Sequence, residues 1–158
     1  MMKTLKKITL SLAISGLLFT SCDKNSEKEA KTVEVKLENG QTVTYNINTN
    51  GLLSFDDWNE FNTANKELKD IENLNLETTT ARISALGNSI ASLENTIPSW
   101  LKTEEVLEDI DDVQKDYQKL LKEKNEPVKN VKQNLEELIE KFDDLREELN
   151  ETIEDYTS

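Results

Sequence analysis

Residues 120–128, LLKEKNEPV, hold the joint on which the fold turns. Counting in fours from Leu120 through Lys124 to Val128 carries an apolar phase across Pro127, so a kinked continuous helix is allowed. Pro127 is equally suited to the first turn of a new helix, where its missing N–H is one the helix leaves unbonded anyway, and this allows a tight reversal. Upstream of the joint, Val106, Ile110, Val113, Tyr117 and Leu120 repeat at helical spacing behind a capping Thr103-Glu104-Glu105. Downstream, Val128, Val131, Leu135, Leu138, Phe142, Leu145, Leu149 and Ile153 continue nearly to the end of the chain.

A second joint of the same kind lies earlier. Trp58, Phe61, Leu68 and Ile71 form one stripe and Ile83, Leu86, Ile90, Leu93 and Ile97 another, with a phase change at Asn73-Leu74-Asn75-Leu76 and a helix-weakening Gly87. Ser54, followed by Asp56 and Asp57, reads as the cap of the first helix. If both joints are loops, four helices close into an antiparallel bundle; if both are continuous, the result is a long coiled-coil-like helical hairpin with arms of ~60 to 80 Å. Small residues beside the second stripe, among them Ala81, Ser84, Ala85, Gly87 and Ala91, favour close helix contacts and the compact form.

Before the helices, residues 32–48 alternate apolar and polar side chains around Asn39-Gly40, which is a β-hairpin signal. A two-residue turn would put the two apolar sets on opposite faces. A three-residue loop, Glu38-Asn39-Gly40 with Gly40 in the left-handed conformation, pairs Val35 with Val43 and Val33 with Tyr45 and gathers them on one face. A lone hairpin is marginal in water, so that face must pack on the helices. The fold class expected is therefore mainly α, a bundle or hairpin of helices over residues 54–157 preceded by one short β-hairpin at 32–48.

The 158 residues suffice for one modest core, and 32 acidic against 19 basic residues give a formal net charge of −13. Nucleic acid is disfavoured as a partner, because phosphate binding needs clustered Lys and Arg to displace counterions. There is no histidine, which removes the commonest general base, the commonest metal ligand and the imidazole of hydrolytic triads. The chain has a single cysteine, Cys22, so neither an internal disulfide nor a thiolate metal site can be built.

The setting of Cys22 assigns it another task. Lys3, Lys6 and Lys7 form a positive start, and Ile8 to Phe19 is an uncharged, mostly apolar run too short to span a bilayer but suited to a signal peptide over residues 1–21. The run ends in Phe19-Thr20-Ser21-Cys22, which resembles the lipobox of bacterial lipoproteins, with Phe19 standing where that family has leucine. The resemblance covers the first 22 residues and implies export, cleavage before Cys22 and acylation of its thiol and new amino terminus, with palmitate-type chains as a membrane anchor. At ~0.8 kcal/mol per buried methylene, one chain holds a protein transiently, whereas two or three hold it for practical purposes permanently. The leader is similar in style to those of Bacteroidota lipoproteins, which implies an outer-membrane location, on the periplasmic face or the cell surface. Residues 22–31 then offer no apolar side chain larger than alanine beyond the anchor and read as a flexible tether.

Among the remaining constellations, Glu104 to Asp116 is the densest acidic run, but Val106, Ile110 and Val113 keep helical spacing through it, unlike the tightly turned loop of a calcium site. It reads as a solvated helix face, with Asp111 placed to pair with Lys115. No pair of carboxylates is marked for acid–base chemistry, so no catalytic residue, cofactor or metal site is expected. Trp58 lies on a core stripe, whereas Trp100, beside Pro98 in a helix connection, is the better candidate for a weak interaction surface. The function these features suggest is a non-enzymatic, lipid-anchored protein-binding or structural accessory module of the cell envelope. The alternative is an envelope sensor or buffer that takes a small ligand or divalent cation through acidic helices.

Overall fold

A computed structural model describes residues 30–157; the expected signal peptide and Cys22 lie outside the described residues. The chain is mainly helical, with a three-stranded antiparallel sheet ahead of four helices. Strands β1 (Lys31–Lys36), β2 (Thr42–Ile47) and β3 (Leu53–Phe55) follow in order, then α1 (Asn59–Asn73), α2 (Thr80–Thr96), a 3₁₀ turn (Ser99–Leu101), α3 (Glu104–Glu123) and α4 (Val128–Thr157).

The β1–β2 register is the one the three-residue loop requires: Val35 faces Val43 and Val33 faces Tyr45. Gly40 has φ +83, a conformation that costs a residue with Cβ, and the Leu37 amide closes the loop on the Gln41 carbonyl at 2.8 Å. The third strand is a correction. Ser54 caps no helix; it lies in β3, which pairs Tyr45 with Phe55 and Ile47 with Leu53. The Asn48 side chain causes this by accepting from the amides of Asn50 and Leu52, folding the chain through Gly51 (φ +80) back onto β2. Asp56, expected in a first helical turn, instead accepts from Asn46 Nδ2 and Thr44 Oγ1 on the sheet.

Both uncertain joints are breaks. Asn75 and Leu76 adopt left-handed conformations with φ 53 and 61, which ends α1, and Thr79 Oγ1 caps α2 by accepting from the Arg82 amide. Pro127 precedes α4, its carbonyl accepting from the amides of Asn130 and Val131. Val128, counted into the apolar stripe, is 71% exposed: its four-residue step from Lys124 is an accident of the turn and not a continuing helical phase. Thr103 caps α3 as its sequence demands, its hydroxyl accepting from the Val106 amide at 3.1 Å.

Contacts between helices follow the stripes. Gln114 Nε2 reaches the Ile90 carbonyl and Lys124 the Ser84 hydroxyl, so α2 and α3 run antiparallel; Lys119 with Glu137 and Lys141 with Asp112 set α3 against α4 in the same sense. Gly87 has a packing reason: a Cβ there would lie 2.7 Å from the Tyr117 hydroxyl, which donates to the Ile83 carbonyl. The core is continuous from sheet to helices. Phe55 of β3 meets Trp58, Phe61 and Trp100 at ring-centroid distances of 5.8, 5.4 and 6.0 Å, and Phe61 stacks on Phe142 of α4 at 5.5 Å. Burying an aromatic side chain of this kind contributes about 1.5–3 kcal/mol, so this cluster fastens the sheet to the helices.

Polar side chains fix how the sheet sits. Asn62 of α1 donates to the Phe55 carbonyl and accepts from the Phe55 amide, finishing β3 with two bonds no strand supplies. One turn further on, buried Asn65 donates to the Leu53 carbonyl at 2.7 Å and accepts from Arg146 Nε at 2.7 Å. Arg146, over the Phe142 ring and paired with Asp143, thus ties α4 to α1 and α1 to β3.

Candidate interaction surface

The helix directions give the molecule two unlike ends. At the sheet end lie β3, the 3₁₀ turn and the last turn of α4, where the Tyr156 hydroxyl donates to the Trp100 carbonyl at 2.9 Å. At the other end the α1–α2 and α3–α4 turns meet, joined by Lys132 Nζ on the Asn75 carbonyl. The 15 residues of α1 separate the two by ~22 Å at 1.5 Å per residue.

The sheet end and the flanks are acidic. A groove of about 600 Å³ between the β1–β2 loop, the start of α3 and the end of α4 is lined by Glu38, Glu105, Glu148, Glu151 and Asp155, with no basic side chain. Burial pushes the Glu148 carboxyl above its ordinary range, and neighbouring Glu151 and Asp109 push the same way. Asp109 is raised likewise, first by burial and then by Asp144, with Lys141 opposing. Across the α3–α4 seam Glu137 is held low by its bond from Lys119. Asp111 pairs with Lys115 at 2.7 Å, as the helix spacing predicts.

These shifts have a sign. A raised carboxyl binds its proton more tightly folded than unfolded, so its unfavourable contribution is complete above the raised value and is relieved as pH falls toward the ordinary 3.8 of Asp or 4.5 of Glu. Glu137 acts oppositely, its contribution being lost only as pH falls below 4.5. Thermal melts followed by circular dichroism should therefore show the double substitution Asp109→Asn, Glu148→Gln raising the midpoint at pH 7, and raising it less as pH falls toward the ordinary carboxylate values; a double variant no more stable than the native protein at pH 7 contradicts this.

Trp100 is 8% exposed, set edge-on to Phe55 and to Tyr156, and only its rim borders a small hollow beside Leu37 and Asn39. Trp58 is fully buried. Among the described residues, no group of three His, Cys, Asp or Glu side chains is arranged to hold a metal ion, and no helix is long and apolar enough to cross a membrane. No family model, no curated protein and no solved structure matches this chain. Function must then be argued from its own residues.

The feature that sequence reasoning missed lies at the far end. A cleft of about 380 Å³ between the two turns is lined by Leu76, Ile83, Val128 and Val131, with Lys124 and Lys132 on its wall. Val128 and Leu74, 71% and 53% exposed, stand at the same end. The signal was present in residues 119–132, where Lys119, Lys122, Lys124, Lys129 and Lys132 meet only Glu123 and Glu126 in an otherwise acidic chain.

Proposed function

We propose that the protein is a lipid-anchored, non-enzymatic module of the bacterial cell envelope, held at the outer membrane by acyl chains on Cys22 and engaging a protein partner through its helical domain. In this reading α1 to α4 close into an antiparallel bundle. The alternation of chain direction from helix to helix and the α1–α4 link through Asn65 and Arg146 support that closure. The observation that carries the anchor is the order Phe19-Thr20-Ser21-Cys22, polar tether, folded domain, with β1 beginning at Lys31, nine residues beyond Cys22. At ~3.3 Å per residue the tether spans at most ~30 Å, enough to hold the sheet end near the membrane while the turn end faces away.

A partner is supported by what the far end leaves exposed: large apolar side chains and a cleft on a chain whose stripes are otherwise buried. Intact-cell cross-linking with a lysine-reactive reagent tests this. A discrete heavier adduct containing a second protein, lost when Cys22 is replaced, is the expected result. Recovery of uncross-linked protein alone, under conditions that cross-link known envelope complexes, contradicts it.

A further inference from the structure

We infer that the free edge of β1 pairs antiparallel with the β1 edge of a second copy of this chain on the membrane, joining the two sheets into one. The inference goes beyond the proposed function and rests on it only for the anchor that holds both copies in one plane.

The hydrogen-bond pattern shows which edge is open. In an antiparallel pair, alternate residues bond to the neighbouring strand and those between turn their N–H and C=O groups the other way. The Leu37 amide bonds to the Gln41 carbonyl, and the register continues through Val35 with Val43 and Val33 with Tyr45. Thr32, Glu34 and Lys36 therefore direct their backbone groups away from β2, where they meet no partner among the described residues. The opposite edge of the sheet is closed. The outward groups of β3 are taken by α1, Asn62 bonding to the Phe55 amide and carbonyl and Asn65 to the Leu53 carbonyl. The β1 edge has neither a proline nor a bulge along its six residues, and Thr32, Glu34 and Lys36 are all exposed. What guards it is charge alone.

Those charges select the occupant, because they match when the strand meets itself. Self-pairing that uses the outward groups can centre on Val33, Glu34 or Val35. Centred on Glu34, it sets that carboxylate against its own copy. Centred on Val33, it leaves Glu34 opposite Thr32 and Lys36 opposite Ala30. Centred on Val35, it places Glu34 opposite Lys36 of the second copy, and the two-fold axis repeats the match. Neither side chain has an ion pair among the described residues to give up.

Six residues a side is far less than the ~20 to 30 of a stable soluble interface, and the formal charge of −13 opposes approach. The pairing is therefore weak in solution and populated where anchors raise the effective concentration. Its geometry suits that setting. The two-fold axis stands perpendicular to the joined sheet, so both tethers leave from the same layer and reach one bilayer.

The test uses the mature, acylated protein in phosphatidylcholine vesicles, with donor or acceptor dyes on the carboxyl termini of separate copies. Energy transfer above that of random proximity is expected. Glu34→Lys and Lys36→Glu should each weaken pairing about tenfold, since each turns two attractive pairs into repulsive ones. The double variant Glu34→Lys, Lys36→Glu should restore it. Both positions are exposed, so the circular dichroism of all three variants should match the native protein. The register is checked in native membranes by mild oxidation. A disulfide dimer is expected when Glu34→Cys and Lys36→Cys copies are expressed together, because a hydrogen-bonded pair sets Cα atoms ~5.5 Å apart. Either variant alone, with like positions two residues out of step, should give little. Transfer equal to random proximity, no rescue by the double variant, equal disulfide from one variant alone, or an adduct with a different protein instead would overturn the assignment. The anchor fails separately: vesicle-bound, acylated protein that shows no transfer keeps the lipid-anchored module and removes the edge pairing.

Discussion

Replacing Cys22 by alanine should move the protein from the membrane fraction to the soluble fraction almost completely. The size of the effect follows from the chemistry of the proposed anchor. Each acyl chain would bury more than a dozen methylenes at ~0.8 kcal/mol apiece, and two or three together make release negligible, whereas the thiol-free variant, once freed of residues 1–21, has nothing comparable to insert. No described helix supplies a substitute, since none is apolar and long enough to cross a bilayer. The acidic flanks oppose adhesion to anionic head groups, so electrostatics would not retain the variant either. Fractionation and immunoblotting of cells expressing Cys22→Ala beside the native protein provide the measurement. Equal membrane retention of the two would remove the anchor from the account.

The second large effect is expected at Asn65→Ala. Asn65 is 2% exposed, and its amide bridges the Leu53 carbonyl of β3 and the guanidinium of Arg146 on α4. Alanine leaves a carbonyl and a mostly buried cation each short of a partner, at a cost of ~2 to 4 kcal/mol, against about 1 kcal/mol for an ordinary exposed hydrogen bond. Urea unfolding should show that loss. Hydrogen exchange should also quicken in β3 well before it does in α3, because Asn65 holds the sheet and takes no part in the α3–α4 contact. A destabilisation below ~1 kcal/mol, or uniform acceleration, would mean that the aromatic cluster around Phe55 and Phe61 holds the sheet unaided.

What could be read from the residues, and what could not, divides along physical lines. The β1–β2 register was legible because a one-residue slip would have turned Val33 and Val35 away from Val43 and Tyr45, and because Gly40 takes φ +83 without the cost a Cβ would bring. The helical stripes were legible because period is local: Trp58 and Phe61, Ile83 to Leu93 and Leu135 to Ile153 all lie buried where their spacing put them. The third strand was missed because Ser54-Phe55-Asp56-Asp57 imitates a helix cap. The deciding bonds come from Asn48 behind it and from Asn62 and Asn65 ahead, and composition near Ser54 does not encode these. The joint at Pro127 stayed open because Leu120, Lys124 and Val128 keep a four-residue step; only the exposure of Val128 shows that the step carries no packing.

The candidate interaction surface was less legible for a related reason. Trp100 drew notice as a large side chain beside a proline, yet Phe55 and Tyr156, 45 residues before it and 56 after it, cover its faces. The far-end cleft needs two turns some fifty residues apart in sequence to meet, and neither turn shows a site alone. Its lysines are visible in residues 119–132, but that they lack acidic partners is a property of the folded chain.

The account stands most directly on the chemical state of Cys22. Mass spectrometry of the amino-terminal peptide from protein extracted out of membranes reads it in one step. The predicted result is a peptide that begins at Cys22, carries the added mass of a diacylglyceryl group with or without a further acyl chain, and runs on into Asp23 and Lys24. An amino terminus upstream of Cys22, or an unmodified Cys22, would contradict it.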